Sequence, residues 1–573
     1  MASHLILECM DCGFRQPYHP CSPHCAKCGS QWREARYDYA ILGQTLPGKL
    51  TTRSFNLWRY RELLPVSNEN FDLFMGEGGT PLIRAVNLGM MLGCPYIFIK
   101  DERQGPTASF KDRQAAVTIA ALKEAGITEM VVASTGNVAI SYSAYAARAG
   151  IKLWAFLTSL VPGSKMREVA IYGTQVIKVT GSYDQCKQIA AEFARKRGLY
   201  LDTGARNILS VESMKTIAFE IAEQITQALG PSRVESGAQT KDPRTGSPLS
   251  SEKWRVPNWY IQSVSGGMGP LGVIKGFSEL KVMGITDQIP KISMIQAEGC
   301  APMVHAWKNN LDKAEPVNSP RTLIETLATG DPGRAYAILR HKIINASGGT
   351  AESVTDEEAY RATHLLAKME GLSIEPAAAV GFAGLIKMVR SGILHPNDII
   401  VVNCTGHTMP VEHDILGEGW SRDVIVPKPA ITVESQEEGL LAALNQVASD
   451  RYPCIAIVDD NPEVRRLIRR ILQSQGEFTL FEADNGREAI ALAQKEHPQL
   501  IILDLMMPEM DGFTVLNALQ SEPQTSDIPV IVVTAKELTT SEKQRLQGHI
   551  QTLMQKGDFM SDELIEEVRS LLH

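Results

Sequence analysis

No uninterrupted apolar run in this chain reaches the roughly 18 residues that a membrane-spanning helix needs. The nearest, Ala377 to Ile386, fits a buried helix better. The N-terminus, Met1-Ala-Ser-His-Leu-Ile-Leu-Glu8, lacks the basic flank and apolar core of a signal peptide. Dense Lys/Arg stretches are missing too, and the formal net charge is −8, which argues against a nucleic-acid binder. Internal repeats and strong low-complexity segments are not seen. These absences predict a cytoplasmic protein with neither a membrane nor nucleic acid among its partners. In that reducing compartment the ten cysteines should be thiols or metal ligands rather than disulfides. A length of 573 residues allows two to four domains with ample core, and 44% hydrophobic residues against 21% charged ones is ordinary for a globular chain.

Four cysteines are grouped, as Cys9-x2-Cys12 and Cys25-x2-Cys28, with Gly13 and Gly29 directly after the second of each pair. Two such knuckles suit tetrahedral zinc, because each turn points two thiolates at one ion and four soft ligands close its shell. A closed site of this kind is structural. His19, Cys21 and His24 lie between the pairs and could substitute as ligands. The same spacing would also serve a redox dithiol or a loop that merely keeps its cysteines; the spacing and the reducing compartment favour zinc in a ribbon-like segment.

From about residue 40 to 420, strand-like and helix-like stretches alternate, the pattern of an α/β fold with a largely parallel sheet. Tyr96–Ile99, Met130–Ala133, Leu153–Leu157, Val176–Val179 and Asn258–Val264 read as strands; Ala115–Leu122 and Val138–Ala149 read as helices. Open sheets bind ligands at the carboxyl ends of their strands. There the sequence places Lys100-Asp-Glu-Arg-Gln-Gly-Pro-Thr-Ala-Ser-Phe-Lys111, Ser134-Thr-Gly-Asn137, Ser265-Gly-Gly-Met-Gly269 and Asn403-Cys-Thr-Gly-His407. A lysine at a strand-to-helix turn can aim its amine into a cleft. A helix-opening loop can hold an anion, and a glycine run can cradle a phosphate, although a tight turn would explain the glycines as well.

Together these segments resemble pyridoxal-phosphate (PLP) enzymes of fold type II, most closely the threonine synthase family. Trp58–Leu64, Gly76–Leu82, Lys215-Thr216 with Phe219-Glu220, Val354–Glu357 and Glu375-Pro-Ala377 also occur in the family's order, and Tyr37-Asp-Tyr39 follows a cysteine-paired ribbon as in many of its members. The resemblance implies that Lys111 forms the Schiff base with PLP and, once released, is the catalytic base. It implies that Asn137 contacts the cofactor hydroxyl, that Ser265, Gly266, Gly267, Met268 and Gly269 hold its phosphate, and that Thr405 meets the pyridine nitrogen. Ser134, Thr135 and Gly136 would hold the substrate carboxylate. The family's phosphate ligands for O-phosphohomoserine are not kept: Val138 stands for a Thr, and Gly204, Ala205 and Ser210 stand for an Asn, a Ser and an Arg, with Arg206 available from a shifted position. His407-Thr-Met-Pro410, Ala108 and Met268 depart as well. The expected chemistry is lyase or replacement chemistry on a related amino acid, through α-proton abstraction and β- or γ-elimination.

The stretch between Gly230 and Arg255, polar as in residues 236–248, reads as an insertion and 421–451 as a linker, with Glu437–Gln446 as a short helix. A second βα alternation begins at Tyr452, with strands at Cys454–Val458, Phe478–Phe481, Leu500–Leu503, Val530–Val533 and His549–Met554, the spacing of a flavodoxin-like domain. Asp459, Asp460 and Asp504 fall at strand ends, where clustered carboxylates suit Mg²⁺. This segment resembles the receiver domain of bacterial response regulators. The resemblance makes Asp504 the phosphoacceptor, Asp459, Asp460 and Asp504 metal ligands with the carbonyl of Met506, and Thr534 and Lys556 the contacts to the phosphoryl oxygens. Lys556-Gly557 and Leu553 depart from the family pattern. The expected organisation is therefore a zinc-ribbon-like segment over 1–39, a PLP body over 40–420, a linker over 421–451 and a receiver over 452–573. A homodimer that takes an amino-acid substrate is expected, served by a sensor histidine kinase or phosphotransfer protein. The alternative is a signalling or scaffold protein whose PLP body binds a ligand without catalysing threonine synthesis.

Overall fold

A computed structural model of the chain describes residues 5–20, 22–67, 73–134, 136–158, 161, 163–180, 183–233, 252–407, 453–475, 478–534, 538–546, 550–555 and 561–572. Cys21, Thr135, Lys556, Gly557, Thr408 to Pro410, the 236–248 insertion and the 421–451 linker with its expected helix lie outside the described residues. The chain falls into two units, one of residues 1–85, 96–363 and 373–409, the other of residues 86–95, 364–372 and 410–573. Among the described residues no helix is long and apolar enough to cross a membrane.

The first unit carries three sheets. An antiparallel one runs in the order Arg15–Pro17, Ile6–Cys9, Arg33–Arg36. A six-stranded one runs Thr350–Val354, Lys291–Ala297, Trp259–Ser263, Ile400–Cys404, Ile97–Asp101, Leu82–Arg84, parallel except for the last strand. A four-stranded parallel one runs Gln175–Val179, Lys152–Thr158, Glu129–Ser134, Tyr200–Leu201. Parallel strands covered on both faces read as unbroken apolar runs, and Ile97–Asp101, Trp259–Ser263 and Ile400–Cys404 are buried along their whole length.

Helix Ile208–Leu229 lies close against helix Met268–Val282 because Gly272 and Gly276 face it. A Cβ on Gly272 would collide with the Met214 side chain, and one on Gly276 would lie 2.5 Å from the Lys215 carbonyl oxygen. The alanine-rich helix Lys111–Glu124 is buried from Asp112 to Leu122. Burying a helix that carries Arg113 requires compensating charge, which Glu102 and Glu220 supply.

The second unit contains a parallel sheet in the order Thr479–Ala483, Cys454–Val458, Leu500–Leu503, Val530–Thr534, Thr552–Gln555. Numbered along the chain this is order 2-1-3-4-5, the flavodoxin-like winding. The α/β expectation is met in both units.

Candidate functional site

Lys111 is the first residue of its helix. The turn before it is held from both sides. The Asp112 carboxylate accepts the Thr107 N–H (2.8 Å) and the Thr107 hydroxyl, and that hydroxyl lies 2.8 Å from Ser141 Oγ. From the other side, the Phe110 N–H donates to the Thr405 carbonyl and the His407 N–H to the Ala108 carbonyl, both at 3.0 Å, while Ser109 bridges Gly406. Ala108 sits at φ +55°, a left-handed conformation that glycine adopts at lower cost. The half-buried Lys111 amine lies 4.3 Å from the Phe110 ring centroid. Burial pushes its pKa down to about 8, against the opposing pull of Asp202 and Glu375.

Ser134 ends its strand, and its hydroxyl accepts the N–H groups of Gly136 (3.0 Å) and Ala139 (3.1 Å), opening helix Asn137–Ala149. The Asn137 amide donates to both oxygens of Glu375 (2.9 and 3.0 Å) and accepts from Lys165 Nζ at 2.5 Å. Lys165 also stands 3.9 Å from Glu375 Oε2. Gly406 makes room for this cluster, since a Cβ there would lie 2.5 Å from Glu375 Oε1 and 3.3 Å from Asn137 Nδ2. Thr405 is 3% exposed, directly beside it. The loops of Lys111, Asn137 and Thr405 therefore meet.

The glycine loop leaves strand Trp259–Ser263 and opens the 15-residue helix Met268–Val282. Gly267 caps that helix at φ +80°, and a Cβ on Gly269 would clash with the Gln262 amide. The Ser265 hydroxyl bonds to the Thr329 hydroxyl, Gly266 has open space around it, and Met268 is buried. Backbone N–H groups at a helix N-terminus with no side chains in the way fit a phosphate group. The residues present fit PLP.

Sequence reasoning gave no role to Asp202, Lys165 or Thr329 and placed Glu375 only within a motif. Glu375 was the accessible one, as an acid before the proline of Glu375-Pro376 in an otherwise apolar helix start. Arg206 is exposed and donates to Gln31 at 3.1 Å.

In the antiparallel segment, Cys9 Sγ and Cys28 Sγ are 3.5 Å apart, Cys12 Sγ and Cys25 Sγ are 3.7 Å apart, and all four sulfurs lie within 4.8 Å of one another. Four Zn–S bonds of about 2.3 Å in a tetrahedron put sulfurs about 3.8 Å apart, so the set fits one ion. Each knuckle is closed by a backbone bond, Gly13 N–H to Cys9 O and Gly29 N–H to Cys25 O, both at 2.9 Å. His24 instead shares its ring with Gln31.

In the second unit, Asp459 follows Cys454–Val458, Asp504 follows Leu500–Leu503, and Thr534 ends its strand. Oxygens of Asp459, Asp460 and Asp504 lie within 4.8 Å of one another, with Asp459 and Asp504 buried and Asp460 exposed. Asp504 Oδ1 accepts the Met506 N–H at 3.1 Å. A Cβ at Gly512 would clash with the Asp504 carbonyl oxygen. Three carboxylates this close suit a hard cation.

Residues 73–406 match the family described as pyridoxal-phosphate dependent enzyme, and residues 455–569 match the response regulator receiver domain. The chain belongs to the PLP-dependent enzyme family and carries a receiver domain after the enzyme body. Within that class it is similar to threonine synthases. That of Methanocaldococcus jannaschii is 35% identical over 405 residues, covering 70% of this chain and 92% of that protein. The Methanosarcina acetivorans threonine synthase is 32% identical over 404 residues, covering 70% and 91%. That of Mycobacterium bovis is 29% identical over 376 residues, covering 65% and 94%. The expected PLP-dependent lyase of threonine synthase type, fused to a receiver, is what the comparisons support.

Proposed function

We propose that this chain binds PLP at Lys111 and catalyses elimination or replacement on an amino acid, under a phosphorylation input at Asp504. The observation that carries the reading is the convergence of the Lys111, Asn137 and Thr405 loops, with the lysine amine brought down to about 8 by burial. An amine near neutrality is available as a nucleophile and as a base. Bound there, PLP supplies the electron sink for loss of the α-proton and of a β or γ substituent.

In this reading Lys111 Nζ would hold the cofactor and, once displaced from it by the substrate amine, would take the α-proton. The backbone at Gly266, Gly267, Met268 and Gly269, with the Ser265 hydroxyl, would hold the phosphate, and Thr405 would hold the ring nitrogen. Asn137, held by Glu375 and Lys165, orients the ring. Ser134, Thr135 and Gly136 would take the substrate carboxylate. The four cysteines hold a structural zinc. Asp459, Asp460, Asp504 and the carbonyl of Met506 would hold Mg²⁺, with Thr534 and Lys556 on the phosphoryl oxygens. A receiver requires a histidine kinase or phosphotransfer protein as donor. A cytoplasmic homodimer that uses neither membrane nor nucleic acid completes the proposal.

The test is a reconstitution of the full chain with PLP, followed by a product screen for ammonia, α-keto acid and phosphate. The chain should gain a visible absorbance band and turn over at least one amino acid. Lys111→Ala should lose both. Unchanged turnover in Lys111→Ala would sink the proposal.

A further inference from the structure

Asp202 is a partly buried aspartate to which the proposed chemistry gives no task. It follows the short strand Tyr200–Leu201, and its N–H donates to the Val131 carbonyl in the neighbouring strand, which ends at Ser134. It is held by five donors. Oδ2 accepts Gln114 Nε2 (2.6 Å) and the Tyr142 hydroxyl (2.5 Å), while Oδ1 accepts the Gly204 N–H (2.8 Å), Asn207 Nδ2 (3.1 Å) and Ser210 Oγ (3.2 Å). Gln114 lies three residues after Lys111 on one helix, so the two share a face, and Asp202 acts electrostatically on the Lys111 amine. A carboxylate so anchored cannot swing away from an incoming ligand.

Among the described residues, the five donors bonded to it are all uncharged groups. Lys165 is engaged with Glu375 and Asn137, and Arg206, in the Asp202 loop itself, is exposed and turned to Gln31. PLP would add further negative charge at the glycine loop.

We infer that Asp202 is a specificity-determining residue that selects amino acids with a neutral side chain and rejects those carrying a phosphate ester. The inference rests on the reading of Lys111 as the cofactor lysine. One unit charge at roughly 10 Å in a medium of effective dielectric about 20 changes affinity by about tenfold.

The experiment titrates the PLP-loaded full chain with L-homoserine and O-phospho-L-homoserine, and with L-serine and O-phospho-L-serine, following the cofactor's visible band. Each neutral amino acid should half-saturate at about tenfold lower concentration than its phosphate ester. Asp202→Asn should bring that ratio towards one, and so should Asp202→Ser. The Asp202→Ser arm decides the matter if Asp202→Asn fails to take up cofactor. Equal or tighter binding of the esters by the unaltered chain, or a ratio unmoved in both variants, overturns the inference and leaves the cofactor reading standing. A band that no amino acid perturbs overturns both.

Discussion

Glu220→Gln should unfold the enzyme body at a clearly lower temperature. The Glu220 carboxylate is fully buried and holds Arg113 Nη1 at 2.6 Å, Arg113 Nη2 at 2.7 Å and Lys100 Nζ at 2.7 Å. Arg113 also pairs with Glu102, at 2.8 and 2.9 Å, so two buried cations share two buried carboxylates. The amide leaves Lys100 and Arg113 facing Glu102 alone, with one positive charge uncompensated. Breaking a buried pair this way costs about 3–5 kcal/mol. Proton linkage points to a similar size. Burial alone would raise the Glu220 carboxyl, but Arg113 and then Lys100 hold it down from 4.5 to about 2, a fall equivalent to about 3 kcal/mol. That contribution is present above pH 4.5 and is lost as pH falls from 4.5 towards 2. Burial pushes the Lys100 ammonium down even beside Glu220. In the variant Lys100 sheds its proton more readily, so the deficit should shrink as pH rises. The assay is thermal unfolding of the full chain, reading the transition that coincides with loss of bound cofactor. A fall of at least about 5 °C is expected near neutral pH. Adding Lys100→Met should recover part of it, as for any coupled pair. A Glu220→Gln midpoint within about 1 °C of the parent, or no recovery in the double variant, would refute the argument.

Three further outcomes follow from the geometry. Lys111 gains its free base as pH rises through about 8, so the rate of PLP capture by the apo chain should climb with pH and level off above it; a flat profile contradicts the assignment. Gly406→Ala forces a Cβ to within 2.5 Å of Glu375 Oε1, and overpacking of about 1–3 kcal/mol should weaken PLP binding on the order of tenfold or more, measured by equilibrium titration. Asp504→Asn should abolish phosphate uptake from acetyl phosphate, and chelation of Mg²⁺ should do the same to the parent chain. Phosphorylation surviving either treatment would remove Asp504 from its role.

Strands were legible wherever burial on both faces left an unbroken apolar run. Ile97–Asp101 and Leu500–Leu503 were expected within a residue or two of where they stand. The meeting of Asn137 with Glu375 was not legible, because the pair is 238 residues apart in the chain. Asp202 carried still less signal. An aspartate after a two-residue strand looks like any loop acid, and only its five donors, drawn from three separate stretches of chain, single it out.

The companion motifs of the resemblance brace the fold. Thr80, from Gly76–Leu82, and Thr216 and Glu220, from the helix beside it, surround Arg113 inside the fold. Glu77 ties Trp58 and Tyr145 together. Tyr37 and Tyr39 donate to Glu212 and Glu279, which flank the buried Lys215. The bonds from Thr80, Thr216 and Glu220 to Arg113 anchor the helix that begins at Lys111, so these motif residues report a rigid platform rather than a substrate. Among the described residues, the side chains bonded at the turn before Lys111 (Thr107, Asp112 and Ser141) are not those bonded to Asp202, so the second set can change while the first stays. Substrate choice can therefore differ from that of the threonine synthases while the scaffold stays recognisable. The residues around Asp202 and Asn207, not the motifs, are where the substrate should be sought.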